Sequence, residues 1–157
     1  MASRNPISWI AAVVPLIALA AEPSWQVTPT KVEDYPGGFR CYFHSPSESP
    51  DTPHILFQTN DEGGDHTHAL IGIDGMKVLL DRMDLRRRSK KRNFDSVGDR
   101  LRMRFSGHDV SVVLDATITG ACPADSENCE DTQYRAKITV TKDGSSRSVD
   151  LVGDCGV

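Results

Sequence analysis

The run Arg86-Arg87-Arg88-Ser89-Lys90-Lys91-Arg92 is cationic at every position but one. Guanidinium groups stay charged at any working pH and present forked donors that match phosphate, sulfate and carboxylate oxygens. The chemistry of such a run is anion holding, not proton transfer. Downstream, Arg100, Arg102 and Arg104 alternate with Leu101, Met103 and Phe105. On a strand, that spacing puts the three arginines on one solvent face. A neighbouring strand could add Arg135, Lys137 or Arg147 to it. Loop and sheet face of one sign would form a patch able to hold an anionic partner. The competing reading is a solubilising loop that repels itself, because the run lies between two strand patterns and is expected as an exposed loop. Nucleic acid is disfavoured as the partner. No aromatics are interleaved with the cations, and the whole chain carries a net charge of −4.

A second group is "DEGGDHTHAL". His66 and His68 are two apart, so a strand would turn both to one face, with Asp65 beside them. His-x-His plus a carboxylate is a ligand set for zinc or copper, and His44 or His54 could complete it. The plain alternative is a polar loop leading into a strand. A third group is the acidic loop "ADSENCED", with Asp125, Glu127, Glu130 and Asp131. Its spacing is not that of a calcium-binding EF-hand. No Gly-x-Ser-x-Gly, phosphate loop or Cys/His arrangement with a free thiol occurs, so no catalytic residue and no cofactor is assigned. The chain is not expected to be an enzyme, although a metal-binding protein and an uncharacterised enzyme stand as alternatives.

These side chains depend on strands. Phe39, Cys41 and Phe43 alternate, Ile55–Thr59 is a short apolar run, and "ALIGIDGMKVLL" sets Asp74-Gly75 between two apolar runs. Asp-Gly accepts the positive φ angles of a tight hairpin. Val110, Val112, Leu114, Ala116 and Ile118 share one face, as do Tyr134, Ala136, Ile138 and Val140. Asp143-Gly144 then turns the chain into Val149, Leu151 and Cys155. About eight strands with hairpin-length connections predict an all-β fold, an antiparallel sandwich or small barrel. Residues 21–37, with Pro23, Pro29 and Pro36, read as an extended lead-in to a single domain over 38–157. The segment "LLDRMDLRRRSKK" is the one place whose composition tolerates a helical turn, with too few apolar residues to dock it.

The compartment follows from the first twenty residues. Arg4, an apolar stretch from Trp9 to Ala21 and the small-x-small "ALA" ending at Ala20 are the three parts of a signal peptide. The stretch is shorter than the about 20 residues a bilayer core needs, so no membrane span is expected after cleavage. An exported chain with Cys41, Cys122, Cys129 and Cys155 predicts two disulfides. The short polar loop "CPADSENC" favours Cys122–Cys129, which leaves Cys41–Cys155 to join the first strand to the last. No CxxC spacing supports a zinc site in the cysteines. With no Asn-x-Ser/Thr sequon, the chain reads as bacterial, periplasmic or secreted, and monomeric.

Cys41, the hairpin "IGIDGMKVLL" and Cys155 give residues 38–155 a layout that resembles small exported bacterial β-domains, including the periplasmic inhibitors of C-type lysozyme. Their Ser-Gly-x-x-Tyr signature is absent, so no inhibitory residue carries over. The resemblance implies an envelope binding or inhibitor module whose partner is an anionic envelope component or a protein such as a cell-wall enzyme.

Overall fold

A computed structural model describes residues 23–31, 41–48, 54–60, 66–89, 96–122 and 131–156. It contains nine strands and, among the described residues, no helix: β1 (Val27–Thr28), β2 (Cys41–His44), β3 (Ile55–Thr59), β4 (His68–Ile73), β5 (Met76–Arg88), β6 (Arg100–Gly107), β7 (Val110–Gly120), β8 (Asp131–Lys142) and β9 (Ser145–Gly156). From β2 onward each strand pairs antiparallel with the next, and β9 returns to pair with β2. The sandwich-or-barrel expectation therefore resolves to a closed, eight-stranded up-and-down barrel. Closure leaves no sheet edge unpaired around the ring.

The barrel interior follows from strict alternation. Phe43, Phe57, Ile71, Leu80, Met103, Phe105, Leu114, Ile138 and Leu151 are all buried. A barrel of this size has room only for side chains to fill it. A chain of aromatic rings crosses the middle: Phe43 to Phe57 at 6.1 Å, Phe57 to Phe105 at 5.7 Å and Phe43 to Tyr134 at 6.2 Å. Gly153 sits opposite Phe43 in register, where a Cβ would strike the ring and the Tyr42 carbonyl. The ring of Phe43 takes the space that a side chain at 153 would need.

The two barrel ends differ. One carries the tight turns. Asp74, Asp143, Gly75 and Gly144 all have positive φ, as their hairpins require. His108 and Asp109 adopt the same left-handed geometry without a glycine. Trp25 closes this end. It joins the core cluster and donates its indole N–H to the Ser145 hydroxyl at 2.9 Å and to the Lys142 carbonyl at 3.2 Å. The lead-in is thus partly structural: Gln26 and Asp74 exchange backbone and carboxylate bonds, and β1 pairs with Gly72 and Ile73. The other end holds the Cys41–Cys155 disulfide, whose cysteines are directly opposite in register. Cys122 is disulfide-bonded as well, while Cys129 lies outside the described residues.

Two expectations need correction. The segment "LLDRMDLRRRSKK" makes no helical turn where it is described; Leu79–Arg88 belong to β5. Arg86–Arg88 accordingly lie on a strand and not in a loop. A bulge at Met83 explains both. Arg82 pairs with Phe105 and Leu85 with Met103, so the inner face advances three residues instead of two. The extra residue breaks the period-two signal while the ladder continues.

Candidate functional site

The outer wall of β5–β9 arranges the charges in rows, fixed by register. One row reads Arg86, Arg102, Asp115, Lys137, Asp150. It largely compensates itself: Arg102 meets Asp115 at 3.2 Å and Lys137 meets Asp150 at 3.3 Å. Arg86 turns along its own strand to Asp84 at 2.9 Å. The next row reads Arg88, Arg100, Thr117, Arg135, Val152 and contains no carboxylate. Among the described residues, Arg88, Arg100, Arg104 and Arg135 make no ion pair. Exposed pairs like those in the first row contribute only about 0–1 kcal/mol each, so they trim the field of the face without cancelling it.

Two features distinguish this wall from a solvated charged surface. Arg86 stands directly across from Arg102, and Arg88 directly across from Arg100. Like charges directly opposite on neighbouring strands destabilise a sheet. Here two such pairs follow one another. Second, the side chains there enclose a groove. It measures about 510 Å³ and is lined by Arg86, Arg87, Arg88, Arg100 and Arg102, with Asp115 as its single carboxylate. The geometry suits a ligand with several anionic oxygens at strand-to-strand spacing, which is about 4.8 Å.

The strand reading brings together Arg86, Arg88, Arg100, Arg102 and Arg104, with Arg135 and Lys137 alongside. Arg87 pairs with Leu101 and so has the inner-face parity, but at the exposed end of the strand it still lines the groove. Arg147 pairs with the buried Val140 and is likewise not part of the outer patch. Lys90, Lys91 and Arg92 lie outside the described residues.

The histidine pair separates. His66 is buried near the disulfide, with Nδ1 3.0 Å from the Thr59 hydroxyl and 3.9 Å from Cys41 Sγ. His68 is on the outside, with Nδ1 2.9 Å from the Asp81 carboxylate. The expected common face does not form, because β4 begins at His68 and His66 precedes its alternation. Asp65 lies outside the described residues. His44 bonds the Ser45 carbonyl and His54 pairs with Glu48, so neither joins His66. Among the described residues no group of three metal-ligating side chains converges.

An acidic groove of about 340 Å³ that sequence reading missed lies farther round the same wall, lined by His44, Asp131, Gln133 and Asp154. Register brings Asp154 beside Gln133 and Tyr42. Partial burial, then the nearby Asp131 carboxylate, hold the Asp154 acid above its ordinary range, with His44 opposing them. Burial and then Asp154 push the Tyr42 phenol up in turn. Only the pairing of the last strand with the first assembles this cluster. A raised carboxyl pKa favours the protonated folded form, so Asp154 costs stability once pH exceeds its folded-state value, and the cost disappears below the unfolded value. Asp154→Asn should therefore raise the melting temperature at neutral pH by a small margin. The gain should shrink to nothing as pH falls through the carboxylate range, as thermal unfolding at several pH values will show.

No family model, curated protein or solved structure matches the chain.

Proposed function

We propose that the chain is an exported cell-envelope binding or inhibitor module that acts as a monomer, catalyses no reaction and holds an anionic partner on the arginine-lined wall of β5–β7. One observation carries the reading: Arg86↔Arg102 and Arg88↔Arg100 are consecutive like-charge pairs, and a groove lies over them. Of these, Arg88↔Arg100 has no compensating carboxylate and lowers the stability of the free fold, whereas Arg86 and Arg102 are each paired with an aspartate. A ligand that bridges them with its own oxygens removes that repulsion, so the cost to the fold becomes a source of affinity. Export is supported by the signal-like first twenty residues and by a disulfide that needs an oxidising space. A bacterial envelope offers anionic glycans, lipid phosphates and acidic protein surfaces, a cell-wall enzyme among them.

The experiment is titration of linear polyphosphate, as a soluble anionic probe, into the native chain and into R86T/R88T/R100T. Threonine is a strand former, so the variant keeps the ladder. Native affinity should fall steeply as salt rises. The variant should bind about a hundredfold more weakly, at about 1 kcal/mol per arginine near an anionic surface. Equal affinity in the two proteins would refute the assignment.

A further inference from the structure

We infer that the partner seated on the arginine wall is the surface of an anionic lipid bilayer, with Met83 and Val97 entering it on either side of the groove. This rests on the anion-holding reading above and deepens it. The second observation is the distribution of exposed apolar side chains. Among the described residues the large ones are Met76, Leu79, Met83 and Val97, and all lie on β5 or in the turn that leads into β6. These are the two strands that carry the paired arginines. Single exposed apolar residues scattered over a surface need no explanation; confinement of all four to β5 and the turn before β6 does.

Two of them adjoin the strand segments that line the groove, one before Arg86 and one before Arg100. Met83 is the bulge residue, between Arg82, which pairs with Phe105, and Asp84, which pairs with Arg104. It is 69% exposed and is separated from the Arg86↔Arg102 pair by the Asp84↔Arg104 pair. Val97 is 66% exposed at the opposite end. Its turn is held where the Gly98 N–H donates to the Ile118 carbonyl, next to Thr117 on the groove lining. Leu79 alternates with the buried Leu80 to the outer face farther along β5, whereas Met76, opposite the buried Ile73, has the inner-face parity at the turn end. A soluble glycan or polyphosphate offers these side chains nothing to bury against. An anionic bilayer offers phosphates to the arginines and acyl-chain depth to the apolar tips, the pairing by which peripheral proteins hold to membranes. A bulge is a device that re-aims a side chain out of a sheet, and an unbranched methionine there adapts to an irregular surface.

The test is co-sedimentation of the disulfide-intact chain with vesicles of phosphatidylcholine, with and without phosphatidylglycerol, beside polyphosphate titration in solution. The native chain should bind only the vesicles that contain phosphatidylglycerol. M83S/V97S should lose about tenfold or more in vesicle affinity, the scale of two apolar side chains left out of the membrane, and keep its polyphosphate affinity. M83L/V97L should bind vesicles as the native chain does, and R88T/R100T should lose both ligands. If M83S/V97S sediments like the native chain, apolar entry is wrong. If the native chain binds polyphosphate but no vesicle, the partner is a soluble glycan or an acidic protein, and the bilayer inference falls while the anion-holding wall stands. Binding of neither probe overturns both.

Discussion

Replacing Cys41 and Cys155 together by serine should lower stability by about 4–5 kcal/mol. The bond spans 114 residues and ties the first barrel strand to the last at a directly opposed pair. In the chain-entropy account a loop of that length removes most where the chain is unfolded, so the loss appears in the denatured ensemble and not as a change in the barrel wall. The β2–β9 seam is also where the ring closes. Its strands are four and twelve residues long, so few ladder bonds hold the seam apart from the sulfur bridge. Denaturant unfolding of the oxidised chain and of C41S/C155S gives the difference directly. A midpoint unchanged by the substitution would show that the seam holds without sulfur.

Trp25→Ala should cost about 3–5 kcal/mol, the range for removing a buried large aromatic. Trp25 is 2% exposed, though it lies in a segment with only a two-residue strand of its own. Its ring plugs the turn end of the barrel. Its N–H ties that plug to Lys142 and Ser145, on the two sides of the β8–β9 turn. Removal opens the end of the core to water and frees the lead-in from the β8–β9 hairpin, leaving only the Gln26–Asp74 bonds and the short β1 pairing. Trp25→Phe keeps most of the plug and loses the hydrogen bonds, so it should cost only about 1 kcal/mol, the net worth of such bonds. Equal effects of the two substitutions would mean that the N–H, not the buried ring, holds the segment in place.

Most of the barrel was legible because its strands face water on one side and a core on the other. Leu101, Met103 and Phe105, or Tyr134, Ala136 and Ile138, declare a strand and its inner face by alternation alone. Asp74-Gly75 and Asp143-Gly144 declare their turns by backbone geometry. What stayed hidden depends on long-range register. The bulge at Met83 puts Leu80 and Leu85 on the same side at an odd spacing, which disguised the basic end of β5 as a loop. Trp25 has no periodic neighbours, and only the closed barrel gives it an end to fill. The arginines were visible as residue types. Their direct opposition across β5 and β6 was not, since residues 89–99 connect these strands by more than a tight turn and so leave the register unstated. The His66–His68 pair failed for a local reason: alternation applies only within a strand, and β4 starts at His68, leaving His66 outside it.

The wall of paired arginines is best probed by thermal unfolding at low salt with and without linear polyphosphate. A ligand that binds only the folded chain raises its melting temperature by mass action. The native protein should gain several degrees on adding the polyanion, whereas R88T/R100T should start from a higher melting temperature, freed of one opposed pair, and stay there when polyphosphate is added. A native chain whose melting temperature ignores the polyanion, or a double variant that melts below it, would contradict the claim that these arginines are kept at the fold's expense to hold an anion.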